Sequence, residues 1–137
     1  MGESFHYLLM ANQALVHKKL LTGLKGSGLS LGQPKVLDYL KDYEGASQKD
    51  IAAGCHIEAA SLTSLLTRME EQGMIERRSL NGNRRTFHIF LTEYGRKLQG
   101  LVEAEFEKLE EQAFEGINEE DRQKLMQLMA EIYQNLK

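Results

Sequence analysis

The chain has 137 residues, 42% of them apolar and 27% charged, with a formal net charge of −3. That composition fits one soluble globular domain with a core of its own, and argues against a disordered or collagenous chain. No apolar run approaches the ~18 residues a membrane span needs, the N-terminus lacks a signal-peptide pattern, and the single Cys55 cannot form an internal disulfide. A reducing, cytoplasmic setting is therefore the expectation.

Taken in chain order, Phe5 to about Leu24 carries Leu8, Leu9, Leu15, Val16 and Leu20 in a broad stripe, which predicts a first helix with more than one packing partner. Gly26-Ser27-Gly28 breaks it. Ser30 is the expected N-cap of a second helix, with Pro34 in its first turn and Val36, Leu37 and Leu40 on its buried side. Ser47 opens a third helix, and Asp50 three residues on completes a weak capping box. A break at Gly54 to Ile57 precedes a fourth helix, from Glu58 to Gln72, whose N-cap position holds Glu instead of Ser, Thr, Asp or Asn.

After Gly73 the apolar period drops from about three or four to two. Met74 to Arg78 and Thr86 to Leu91 are then two strands joined across Asn81-Gly82, the strongest short-range hairpin signal. Thr92 caps a long fifth helix, Glu93 to about Glu115, and Asn118 caps a sixth, with Leu125, Leu128, Met129, Ile132 and Leu136 on one side. The expected fold is mainly α with a small β-wing: a winged helix-turn-helix over 30–92, and helical dimerisation parts at 1–26 and 93–137, within one domain, 1–137. The terminal helices have more apolar surface than a small winged helix can cover, which implies a homodimer.

A winged helix-turn-helix is a device for double-stranded DNA, and the negative net charge does not exclude that. Residues 93–137 hold 11 acidic against 6 basic residues, whereas Arg68, Arg77, Arg78, Arg84 and Arg85 crowd the middle of the chain. Phosphate affinity follows the local field. The start of the fourth helix would face the major groove with Ala59, Ala60, Ser61, Thr63, Ser64 and Thr67, and with Arg68 a turn further on. Small residues allow close approach, hydroxyls can bond bases or phosphates, and Ala and Thr methyls can touch thymine. Arg84 and Arg85, next to Asn83 in the ribbon tip, suit the backbone or a narrow minor groove. Of the adjacent pair Arg77 and Arg78, Arg78 is taken as the phosphate contact and Arg77 as paired with an acid. Gln33, Ser47 and Gln48 could add backbone hydrogen bonds.

The series Leu29-Ser30 with Gln33 and Leu37, Ser47 to Ala52, Leu62-Thr63, Met69-Glu70, Gly73 to Arg77, Arg84-Arg85, Leu91-Thr92 and Gly95 resembles the MarR family of bacterial transcription regulators, in order and spacing, over essentially the full length. The resemblance implies an intertwined dimer on a pseudo-palindromic operator, often released by a small ligand or by cysteine oxidation. It also exposes two departures: Asn83 stands where the family usually has Asp, and Ser64 where it often has a basic residue. Phosphate affinity below the family's norm, or a different operator, follows from these.

In that family an effector pocket often lies between the dimer helices and the reading head, and His6, Leu9, Met10, Gln13, His17, Tyr39 and Tyr43 are the candidates here, against ordinary core packing for the aromatics. The histidines show no metal-ligand spacing, so neither a metal nor another cofactor is expected. No nucleophile and base, phosphate loop or placed carboxylate pair argues for an enzyme. The preferred function is a ligand-responsive repressor acting as a homodimer. The alternatives are a winged-helix protein-interaction module without DNA binding, and a redox-sensing regulator switched through Cys55, which otherwise reads as a small buried core residue.

Overall fold

A computed structural model of the chain describes residues 2–80, 82 and 85–137. The elements run α1 (Phe5–Gly23), α2 (Gln33–Tyr43), α3 (Gln48–Cys55), α4 (Ala59–Glu71), β1 (Ile75–Ser79), β2 (Phe87–Leu91), α5 (Glu93–Ala113) and α6 (Glu119–Leu136). Helix starts follow their caps. Ser4, Ser47, Thr92 and Asn118 each accept a hydrogen bond from the backbone N–H three residues on, which satisfies a donor that would otherwise be orphaned. At α4 the Glu58 side chain makes no such bond.

The second helix differs from expectation. Its N-cap is Gly32, in the left-handed region at φ 88°, and not Ser30. Residues 30–32 turn before the helix begins, and the left-handed step is one that glycine takes without a Cβ penalty. Pro34 does sit in the first turn.

The core joins α1 through Leu20, α2 through Val36, Leu37 and Leu40, α3 through Ile51, and α4 through Leu62, Leu65, Leu66 and Met69, with Ile75, Ile89, Leu98 and Val102 closing it. Burying such side chains stabilises the fold by roughly 1.5–3 kcal/mol each. The ribbon is antiparallel, with Ile75 opposite Leu91, Arg77 opposite Ile89, and Arg78 opposite His88. A short extra edge escapes the periodicity altogether. Gly45 N–H donates to the Ile89 carbonyl and Ile89 N–H to the Ala46 carbonyl, and Ser47 bridges His88. The α2–α3 loop thus lies along β2 and ties the wing to the start of α3.

The base of the wing is held by α5. Thr92 Oγ1 donates to the Gly73 carbonyl at 2.6 Å and accepts from Gly95 N–H. Glu44, just past α2, accepts from Leu91 N–H and from Arg96. By contrast α6 has no buried residue at all, and α1 leaves Phe5, Tyr7, Leu8, Leu9 and Met10 exposed. Among the described residues no helix is long and apolar enough to cross a membrane.

Candidate nucleic-acid interface

The outward side of α4 is set by its inward one. With Leu62, Leu65, Leu66 and Met69 buried, helical geometry turns Ala59, Ala60, Ser61, Thr63, Ser64, Thr67 and Arg68 to solvent. Two of the hydroxyls are already engaged. Thr63 donates to the Ala59 carbonyl and accepts from Gln48 Nε2 at 2.7 Å. Thr67 donates to the Thr63 carbonyl and accepts from Arg77 Nη2 at 2.7 Å. Each keeps a lone pair for a further partner. Ser61, Ser64 and Arg68 are exposed.

Between α3, the start of α4 and the ribbon lies a groove of about 520 Å³, lined by Gln48, Lys49, Ala59, Thr63, Arg77 and Arg85, with Thr86 and Phe87 at its wing side. It gathers Gln48, Ala59, Thr63 and Arg85, all singled out in the sequence. It adds Lys49, which lies one residue from Gln48 on an exposed first helical turn and could have been found by that spacing. Ser47 stands at the α3 start, where its hydroxyl accepts from Asp50 N–H. Asn83 and Arg84 lie outside the described residues.

Two site residues fall elsewhere than expected. Gln33 is buried, 1% exposed: its Oε1 accepts from Ser30 N–H and its Nε2 donates to Gln72 at 2.9 Å, so the amide pins the α1–α2 loop to the end of α4. Of the ribbon arginines it is Arg77, not Arg78, that faces the groove. Arg77 shares the core-side face with Ile75 and Ile89, so it lines the groove. It is also the residue paired with an acid, Glu70, at 3.7 Å. Arg78 is on the other face, over the Phe90 ring at 4.1 Å and paired with Glu76. Strand alternation separates adjacent residues to opposite faces, but the choice of face comes from the register.

The proposed effector residues divide. Gln13 and His17 line a cavity of about 360 Å³ between α1 and α2, with Leu31, Lys35, Asp38 and Phe106 among its walls. Burial raises the Asp38 carboxyl above the ordinary carboxylate range, opposed by Lys41 and helped by Asp42 and Glu103. Tyr39 and Tyr43 stack on each other, centroids 4.7 Å apart, and do not line that cavity. His6, Leu9 and Met10 are exposed toward the free end of α1. Cys55 is 3% exposed, and its Sγ donates to the Lys35 carbonyl at 3.7 Å. Among the described residues no group of three or more His, Cys, Asp and Glu is placed to hold a metal ion.

A three-helix head, a reading helix with a small-residue face and a ribbon carrying arginine define the winged helix-turn-helix class. Within that class, residues 29–87 match the sequence model of the MarR family. Solved structures share the fold over nearly the whole chain. MepR of S. aureus, in a complex with DNA, is 22% identical with a TM-score of 0.87 over 98% of this chain and 99% of that one. CouR from Rhodococcus jostii RHA1, bound to p-coumaroyl-CoA, is 24% identical with a TM-score of 0.83 over 95% and 91%. A regulator from Listeria monocytogenes, complexed with a 26mer DNA, is 20% identical with a TM-score of 0.88 over 99% and 90%.

Proposed function

We propose that the chain is a non-catalytic, DNA-binding transcription regulator of the MarR type: a homodimeric, cytoplasmic repressor on a pseudo-palindromic operator, released by a small molecule. The observation that carries this is the groove holding Gln48, Lys49, Thr63, Arg77 and Arg85 beside the exposed small-residue face of α4. The reading head is 30–92, with α4 in the major groove and the ribbon, with Arg84 and Arg85, on the adjacent backbone or minor groove. The parts 1–26 and 93–137 join the two copies. DNA complexes of MepR and of the Listeria regulator, and the acyl-CoA complex of CouR, support the two binding roles by likeness of fold. The cavity at Gln13 and His17 lies between α1 and the head, so a ligand there would bias their relative placement.

The test is binding to a duplex taken from upstream of the chain's own gene, at two salt concentrations. Affinity should fall steeply with salt as counterions are released. Arg85→Ala should lower affinity by about tenfold or more and make the log–log salt slope shallower by ~1. An unchanged slope removes Arg85 from the interface. The absence of any duplex binding favours the alternative, a winged-helix protein-interaction module.

A further inference from the structure

The turn between α3 and α4 is where the reading helix is aimed, and it is held unusually. His56 ends α3 in the left-handed region, φ 56° and ψ 47°, the one non-glycine residue with positive φ among the described residues. A residue with a Cβ adopts that conformation at a cost, so the surroundings must hold it. Glu58 contributes no side-chain cap to α4. Backbone bonds hold part of the turn, with Ile57 N–H on the Ala52 carbonyl at 3.0 Å. The remaining hold comes from the far end of the chain. His56 Nε2 is 3.1 Å from the Tyr133 hydroxyl, and the rings meet edge-on, centroids 5.5 Å apart at 80°.

Tyr133 belongs to α6, which buries nothing against its own chain. Its described side-chain links to the other elements lie at its two ends: Arg122 pairs with Glu110 and covers Phe114, and Tyr133 meets His56. Tyr133 borders the apolar row Leu125, Met129, Ile132 and Leu136, four residues on from Met129 and three before Leu136, and that row remains largely exposed while Tyr133 meets His56. Whatever covers the row sets where Tyr133 stands.

We propose that Tyr133 is a positioning residue for the reading helix, latching the C-terminal helix to the α3–α4 turn through His56, so that assembly through α6 stiffens the start of α4. The proposal rests on the DNA-binding reading only for its effect on affinity. The latch itself is a property of the free protein.

The experiment is a double-mutant cycle on the full chain with Tyr133→Phe, which keeps the ring and removes the hydroxyl, and His56→Asn, which tolerates the left-handed conformation but is too short to reach α6. Hydrogen exchange of the free protein should be several-fold faster over residues 56–62 in Tyr133→Phe, while the mass by light scattering is unchanged. On the upstream duplex each single variant should lose about three- to tenfold in affinity, and the double variant no more than the worse single one. Unchanged exchange, or losses that multiply, would overturn the latch. Faster exchange in a chain whose wild type binds no duplex would keep the latch and reject the DNA reading.

Discussion

Cys55 illustrates how one side chain's surroundings decide its chemistry. It faces the core from the last turn of α3, and burial pushes the thiol above its ordinary value, with Lys35 opposing and Asp38 reinforcing the shift. Less thiolate at neutral pH and little access both oppose oxidation. The sign for stability follows: the unfolded chain loses the proton first, so this group lowers stability as pH rises through and above the ordinary thiol range. A disulfide reagent should therefore label Cys55 at least tenfold more slowly in the native protein than in denaturant at neutral pH. Rapid native labelling would restore the redox-switch reading. At the same scale, the exposed face of α4 was legible from its spacing, because burying Leu62, Leu65, Leu66 and Met69 leaves no choice for Thr63 or Thr67. Gln33 was not. A glutamine near a helix start reads as solvated, and its partner Gln72 is a whole reading head away in sequence.

Among the elements, α5 carries two glycines with opposite duties. A Cβ on Gly95 would run into the Met74 carbonyl, where α5 leaves the ribbon, whereas a Cβ on Gly100 meets nothing within 4 Å. Backbone cannot step aside as a side chain end can, so Gly95→Ala should destabilise by about 3 kcal/mol or more, in the manner of an overpacked core. Gly100→Ala removes a helix-interior glycine and should stabilise by about 0.5–1 kcal/mol. Denaturant melts of the two variants check both signs, and equal effects would contradict this account of the α5 start. Helix existence and order were legible because caps and apolar spacing agreed, as at Ser47, Thr92 and Asn118. The start of α2 was misjudged at Ser30, since a good capping residue competed with a glycine whose left-handed turn only the surrounding chain can specify. The strip at Gly45 to Ser47 along β2 carries too few residues to show any period, and the face chosen by Arg77 depended on the ribbon register.

For the whole molecule, the decisive feature is the disproportion between core and surface. The reading head is closed and packed, while α1 and α6 display Leu8, Leu9, Met10, Leu125, Leu128 and Met129 at 42–65% exposure. Such a surface is more apolar than a monomer tolerates comfortably, and the proposed second copy would supply an equivalent surface under twofold symmetry. In the proposed dimer, a twin held ~34–36 Å away would double the contact with a palindromic site and raise avidity by a factor of about 10²–10⁴. The variant Leu125→Asp/Met129→Asp places two carboxylates one helical turn apart on that row, where an apolar interface would strip their water at high cost. Neither side chain is buried within its own chain, so far-UV circular dichroism and the melt of the head should change little. Light scattering should nevertheless show a shift from dimer to monomer, and affinity for the upstream duplex should drop at least a hundredfold. A variant that stays dimeric with full affinity would remove α6 from the interface, and with it the route by which assembly could reach His56.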